Sequence, residues 1–128
     1  MKLARSVFLI GGIWGIVVLA PFYLRFEAIG RETPPAITHP EFYYGFLSVV
    51  FAWQLAFLLI AADPIRFRPM MGVAIVEKVG YVVSIAFLYA QGQVAWGDFT
   101  LGAIADLVLG SLFLVAFLST RDVRPVHR

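Results

Sequence analysis

The sequence predicts an all-α membrane protein, an antiparallel bundle of four transmembrane helices with both termini on the cytoplasmic side. Three observations carry this. The 128 residues are 61% hydrophobic and 14% charged, with a mean hydropathy of +0.87, far from the balance of a soluble domain. Four apolar runs of about 20 residues, the length that crosses a hydrocarbon core of about 30 Å, fill most of the chain and leave short connections. The basic residues gather at alternate connections. One integral membrane domain over residues 1–128 is expected, with helices at about 6–24, 42–62, 69–90 and 99–118.

The first run follows Met1-Lys2-Leu3-Ala4-Arg5 and reaches Leu24 without a small-x-small cleavage site, so it is expected to stay in place as a helix. Gly11 and Gly15, at GxxxG spacing, form a small-residue face for close packing inside the bundle or, alternatively, between two copies of the chain. Pro21 falls in its last turns and is expected to kink or end it, since proline supplies no backbone donor. The stretch from Arg25 to Glu41 is polar, of mixed charge and broken by Pro34, Pro35 and Pro40, and reads as a folded-back external loop. His39 and Glu41 there are too few for a metal site.

The second run opens with Phe42-Tyr43-Tyr44, an aromatic cluster suited to the headgroup layer, and carries Gln54 near its midpoint. An amide without partners in hydrocarbon is costly, so Gln54 is expected to face other helices. The turn from Asp63 to Pro69 allows only a neighbouring helix to follow. That third run, to Ala90, places Glu77, Gly80, Tyr81 and Ser84 on one face, with Lys78 turned about 100° away. Asp98 is a candidate N-cap for the fourth run, where Gly102, Asp106 and Gly110 share a face. Gly80, Gly102 and Gly110 join Gly11 and Gly15 as expected helix-packing positions.

With the N-terminus inside, Lys2, Arg5, Arg66, Arg68, Arg121, Arg124 and Arg128 fall on the cytoplasmic side and only Arg25 and Arg31 outside. Basic residues spread over segment ends in this way report topology and exclude a nucleic-acid stripe. The lack of cysteine excludes disulfides, thiolate metal sites and covalent haem attachment. His39 and His127, outside the spans on opposite sides, cannot clasp a haem, and no metal site or phosphate loop is expected.

The intramembrane polar residues are the candidate site: Gln54, Glu77, Lys78, Tyr81, Ser84 and Asp106. An ionised residue at the bilayer centre costs about 2.5 to 3.5 kcal/mol, so these should point inward and pair. Lys78 is expected to pair with either Asp106 or Glu77, with Gln54 and Tyr81 as hydrogen-bonding neighbours and the remaining acid protonated or hydrated. Helix rise puts Glu77 and Asp106 about 9 Å apart in depth. Four short spans with these acids and the segments Glu77-Lys78-Val79-Gly80 and Asp106-x-x-x-Gly110 resemble small bacterial inner-membrane proteins of the DoxX-like type. That resemblance implies a bacterial inner-membrane location and a link to quinone-reducing respiratory complexes.

Three functions fit these residues. The first is a non-enzymatic accessory or structural subunit whose polar core fixes helix register, associated with a membrane partner or with copies of itself. The second is a binding or redox-linked protein holding a quinone or lipid against Glu77, Lys78 and Asp106. The third is a membrane enzyme or proton-coupled transporter using Glu77 and Asp106. None requires a cofactor beyond such a lipid-soluble molecule.

Overall fold

A computed structural model describes residues 1–123. Arg124, His127 and Arg128, which enter the charge and histidine arguments above, lie outside the described residues. The described chain is all-helical: α1 (Lys2–Leu19), a 3-10 turn (Ala20–Leu24), α2 (Phe26–Glu32), α3 (Pro40–Ala62), α4 (Arg68–Ala90) and α5 (Asp98–Ser119). Among the described residues, α1 with its 3-10 turn, α3, α4 and α5 are long and apolar enough to cross a membrane. This fits a small multi-pass membrane protein.

Helix ends follow local chemistry. α1 begins four residues before the expected start, because Lys2 and Arg5 continue a helix without strain and the Arg5 guanidinium donates to the last-turn carbonyl of Ala62 at 3.4 Å. Pro21 does not stop the chain from winding. It tightens the final turn to 3-10 geometry over Ala20–Leu24. Pro40 and Pro69 occupy the first turns of α3 and α4, where a missing donor costs nothing.

α4 stops at Gly92, whose φ of +70° is the left-handed conformation that glycine adopts freely. Its N–H donates to Tyr89 O at 3.0 Å and that of Gln93 to Leu88 O at 2.9 Å, which completes a Schellman end. Asp98 is the first residue of α5 instead of its N-cap. The start is tied by the Thr100 hydroxyl, which accepts from Gly97 N–H and donates to Gly97 O, each at 2.8 Å.

The expected external loop holds a helix that the proline count concealed. α2 is seven residues long, and Ile29 is its one buried side chain. Its first-turn Glu27 and last-turn Arg31 suit the helix dipole.

α1 lies along α3, and α4 along α5; α1 also touches α5, whereas α3 and α4 meet at few points. Residue numbers rise from α1 into its 3-10 turn as they fall along α3: Phe8 meets Phe57, Gly15 faces Gln54, and Tyr23 meets Ser48. The same holds for α4 and α5, through Arg68 with Phe117, Lys78 with Asp106 and Tyr81 with Phe99.

The solid core occupies one end. Phe8 and Phe113 stack at 4.1 Å between ring centroids, and Phe57 meets Phe113 edge-on at 4.9 Å. Ala4, Ile60, Ala61, Met71, Ala74 and Ala116 close around these rings. Since lipid tails are as apolar as these side chains, the gain here comes from close contact more than from escape from water. Gly11 permits it: a Cβ there would stand 3.1 Å from the Phe113 ring.

Candidate functional site

The polar set sits where this solid core ends. Lys78, near the middle of α4, is 4% exposed. Its Nζ lies 2.9 Å from Asp106 Oδ1 on α5, 3.5 Å from Glu77 Oε2 on its own helix, and 5.2 Å from the centre of the Phe57 ring. A charge-assisted hydrogen bond, a second carboxylate and a cation–π contact thus surround one ammonium. The Asp106-x-x-x-Gly110 spacing makes the reach possible. Gly110 stands one turn from Asp106, and a Cβ on it would come within 3.1 Å of Lys78 Cβ, so the lysine stem lies on bare backbone and its tip arrives at the acid.

Three expectations are corrected here. Lys78 does not choose between its acids. Its flexible stem swings back, so that Glu77 and Asp106 converge on one nitrogen, and the 9 Å depth difference estimated from helix rise does not separate their oxygens. Gln54 and Tyr81 are not hydrogen-bonded to the charged cluster. Gln54 Nε2 donates to Val50 O at 2.9 Å and Tyr81 OH to Phe99 O at 3.1 Å, while Ser84 Oγ donates back to Gly80 O at 2.7 Å. Gly80 is not a packing position, because nothing lies within 4 Å of where its Cβ would stand.

The other glycines have definite neighbours. The amide of Gln54 fills the space a Gly15 side chain would need, and Gly12 faces Leu58 and the Gln54 carbonyl. A Cβ on Gly102 would stand 3.6 Å from the Tyr81 hydroxyl, an ordinary contact distance. Gly11, Gly12 and Gly15 are all buried within the chain, so the small-residue face of α1 is covered by α3 and α5.

Above the charged cluster the bundle is hollow. A cavity of about 840 Å³ is lined by all four long helices, with Lys78, Glu77, Asp106 and Gln54 at one end and Arg25 and Asp98 at the other. Its walls are aromatic and aliphatic, among them Trp14, Trp53, Phe46 and Tyr81. Gly80, Ser84 and Gly102 line it as well, which explains the open space beside Gly80. Val49 of α3 and Val76 of α4 line the cavity yet are 61% and 68% exposed, so it opens sideways where those two helices scarcely touch.

The far end is tied by polar contacts. Arg25 bonds Glu32 at 2.7 Å and lies 3.7 Å from Asp98, while Tyr43 OH donates to Phe22 O at 2.6 Å. From sequence Arg25 reads as a loop residue, Tyr43 as a headgroup-layer ring and Asp98 as a helix cap; the fold carries these three to the cavity's edge. Trp14 and Trp53 did leave a signal. Tryptophan favours the membrane interface, and both stand well inside their helices.

Gln54 Oε1, against Gly15, is buried without a hydrogen-bond donor, and Glu77 Oε2 has only the Lys78 ammonium at 3.5 Å beside it. Among the described residues, no group of three or more His, Asp or Glu side chains is arranged to hold a metal ion. In comparisons with known proteins, no family model, no curated protein and no solved structure matches this chain.

Proposed function

We propose that this protein is a membrane-embedded binding protein that holds a hydrophobic small molecule with its polar end against Glu77, Lys78 and Asp106. The observation that carries this reading is the cavity of about 840 Å³ ending on those charges. Its size falls in the range of about 300–1,000 Å³ usual for ligand pockets, and apolar walls with a few convergent polar groups are the usual composition of one. A polar clasp that merely fixed helix register would be served by the Lys78–Asp106 bond alone. It would not account for the hollow beside it.

The reading includes an antiparallel four-helix arrangement in a bacterial inner membrane with both termini cytoplasmic. The pairings of α1 with α3 and of α4 with α5 support the arrangement. The excess of Lys and Arg at one set of connections supports the orientation. The DoxX-like resemblance contributes the bacterial location and nothing about the ligand. A reporter fused to the N-terminus that proved external would overturn the orientation.

Mass spectrometry of the purified protein tests the binding reading. A lipophilic molecule should co-purify in near-stoichiometric amount. Gly80→Trp, which fills open space, should abolish it while the protein stays folded. A cavity that yields only bulk lipid in both proteins leaves the polar set as a structural clasp.

A further inference from the structure

Across a bilayer the two halves of the bundle stand in different leaflets, and only one half is hollow. Along each long helix the cavity wall occupies a single stretch, which starts at Trp14 on α1 and Val76 on α4 and ends at Gln54 on α3 and Leu109 on α5. Each of these four lies within about one helical turn of the middle of its span. From there the hollow runs toward α2, as far as Arg25 and Asp98.

The other half admits nothing of ligand size. Ala4, Phe8, Phe57, Met71, Phe113 and Ala116 come from all four spans and are fully buried, packed together as closely as a protein interior. The α3 and α4 surfaces that part beside Val49 and Val76 are covered in this half, where Phe57, Ile60 and Ala61 join Met71 and Ala74 in one buried cluster. Resting on the binding function proposed above, we infer that the ligand is a resident of the leaflet on the α2 side, enters and leaves through that leaflet alone, and is not passed to the other. With the termini cytoplasmic, this is the outer leaflet. A carrier must open its site to each side in turn, which here would mean parting the stacked rings of Phe8 and Phe113.

Leaflet-confined labelling of a thiol in the cavity wall tests this. The chain has no cysteine, so each introduced thiol is the sole target. Ala105→Cys places it in the wall, and Val108→Cys places it on the exposed face of the same helix, about 4.5 Å away in depth. The probe is a dodecyl chain with a trimethylammonium group at one end and a maleimide at the other. Its fixed charge holds it in the leaflet to which it is added, and the chain brings the maleimide to the middle of a hydrocarbon core of about 30 Å. Membrane vesicles of the two orientations are told apart by whether an impermeant aqueous maleimide reaches Glu27→Cys on the exposed side of α2.

Ala105→Cys should be labelled from the α2 side and lose its labelling from the other, while Val108→Cys is labelled from both. Adding Gly80→Trp should abolish the labelling of Ala105→Cys. Equal labelling of Ala105→Cys from the two sides overturns the one-leaflet assignment and leaves the binding function standing. So does labelling from the opposite side alone. Ala105→Cys left unlabelled from both sides where Val108→Cys reacts, or labelled regardless of Gly80→Trp, removes the cavity as a route and overturns both. Should Ala105→Cys not fold, Val50→Cys in the α3 wall takes its place.

Discussion

The two ends of the bundle are made from the same helices and are built in opposite ways. Around Phe8, Phe57 and Phe113, rings stack on rings, Gly11 lets a ring approach backbone, and alanines close the remaining space. Beyond Lys78, Trp14, Phe46 and Trp53 stand round a hollow, and Gly80 leaves empty the space that Gly11 gives to a neighbour. Glycine and aromatic residues thus do not mean packing by themselves. What decides is whether the facing helix is near: α1, α5 and their partners close on each other, whereas α3 and α4 do not.

The largest break in this contrast should come from the solid end. Phe113→Ala removes a fully buried ring and should cost about 3 to 5 kcal/mol, read as a fall in the midpoint of detergent-induced unfolding. Phe46→Ala in the cavity wall should cost under about 1 kcal/mol, because Phe46 is already exposed and leaves no sealed void. Equal losses at the two positions would erase the distinction between the ends.

The boundary between the ends is the next target. Lys78→Met leaves two acids together without a counter-charge and should destabilise by about 3 kcal/mol in the same assay. Adding Asp106→Asn should recover most of that loss, since the pair is then removed together. A double variant no better than the single one would mean that Glu77 and Lys78 form the dominant pair.

Smaller effects separate the glycines. Gly15→Ala must displace the Gln54 amide and should cost about 1 to 2 kcal/mol. Gly80→Ala meets nothing and should be neutral or stabilising by up to about 1 kcal/mol, from helix propensity alone. The least effect belongs to the outer tie. Arg25→Gln should change stability by under about 1 kcal/mol, with the difference shrinking in high salt, because its ion pairs with Glu32 and Asp98 are partly exposed.

The four long apolar helices were legible because each is announced within its own 20 or so residues, by hydropathy and flanking prolines. So was the need of Lys78 for an acid, since a mid-helix ammonium in lipid has few alternatives. The sharing of Lys78 by both acids was not, because helix geometry fixes where Cβ points and a four-carbon stem overrides it. Gln54, Tyr81 and Ser84 took backbone carbonyls as partners, a choice made within a turn or across one contact, which residue type alone does not reveal. α2 was concealed by the prolines that follow it. The cavity has no local signature at all, since its volume is a property of four faces and of the slight contact between α3 and α4.

For the lipophilic ligand proposed above, the gap between α3 and α4 changes how occupancy is counted. A molecule entering beside Val49 and Val76 comes from the surrounding lipid and never crosses the aqueous phase. The relevant dose is its mole fraction among lipids, and a solute that partitions strongly is already concentrated there. Saturation then requires only a modest intrinsic preference for the protein over the bilayer. Affinities measured in detergent, which dilutes that pool, will understate how full the cavity is in a membrane.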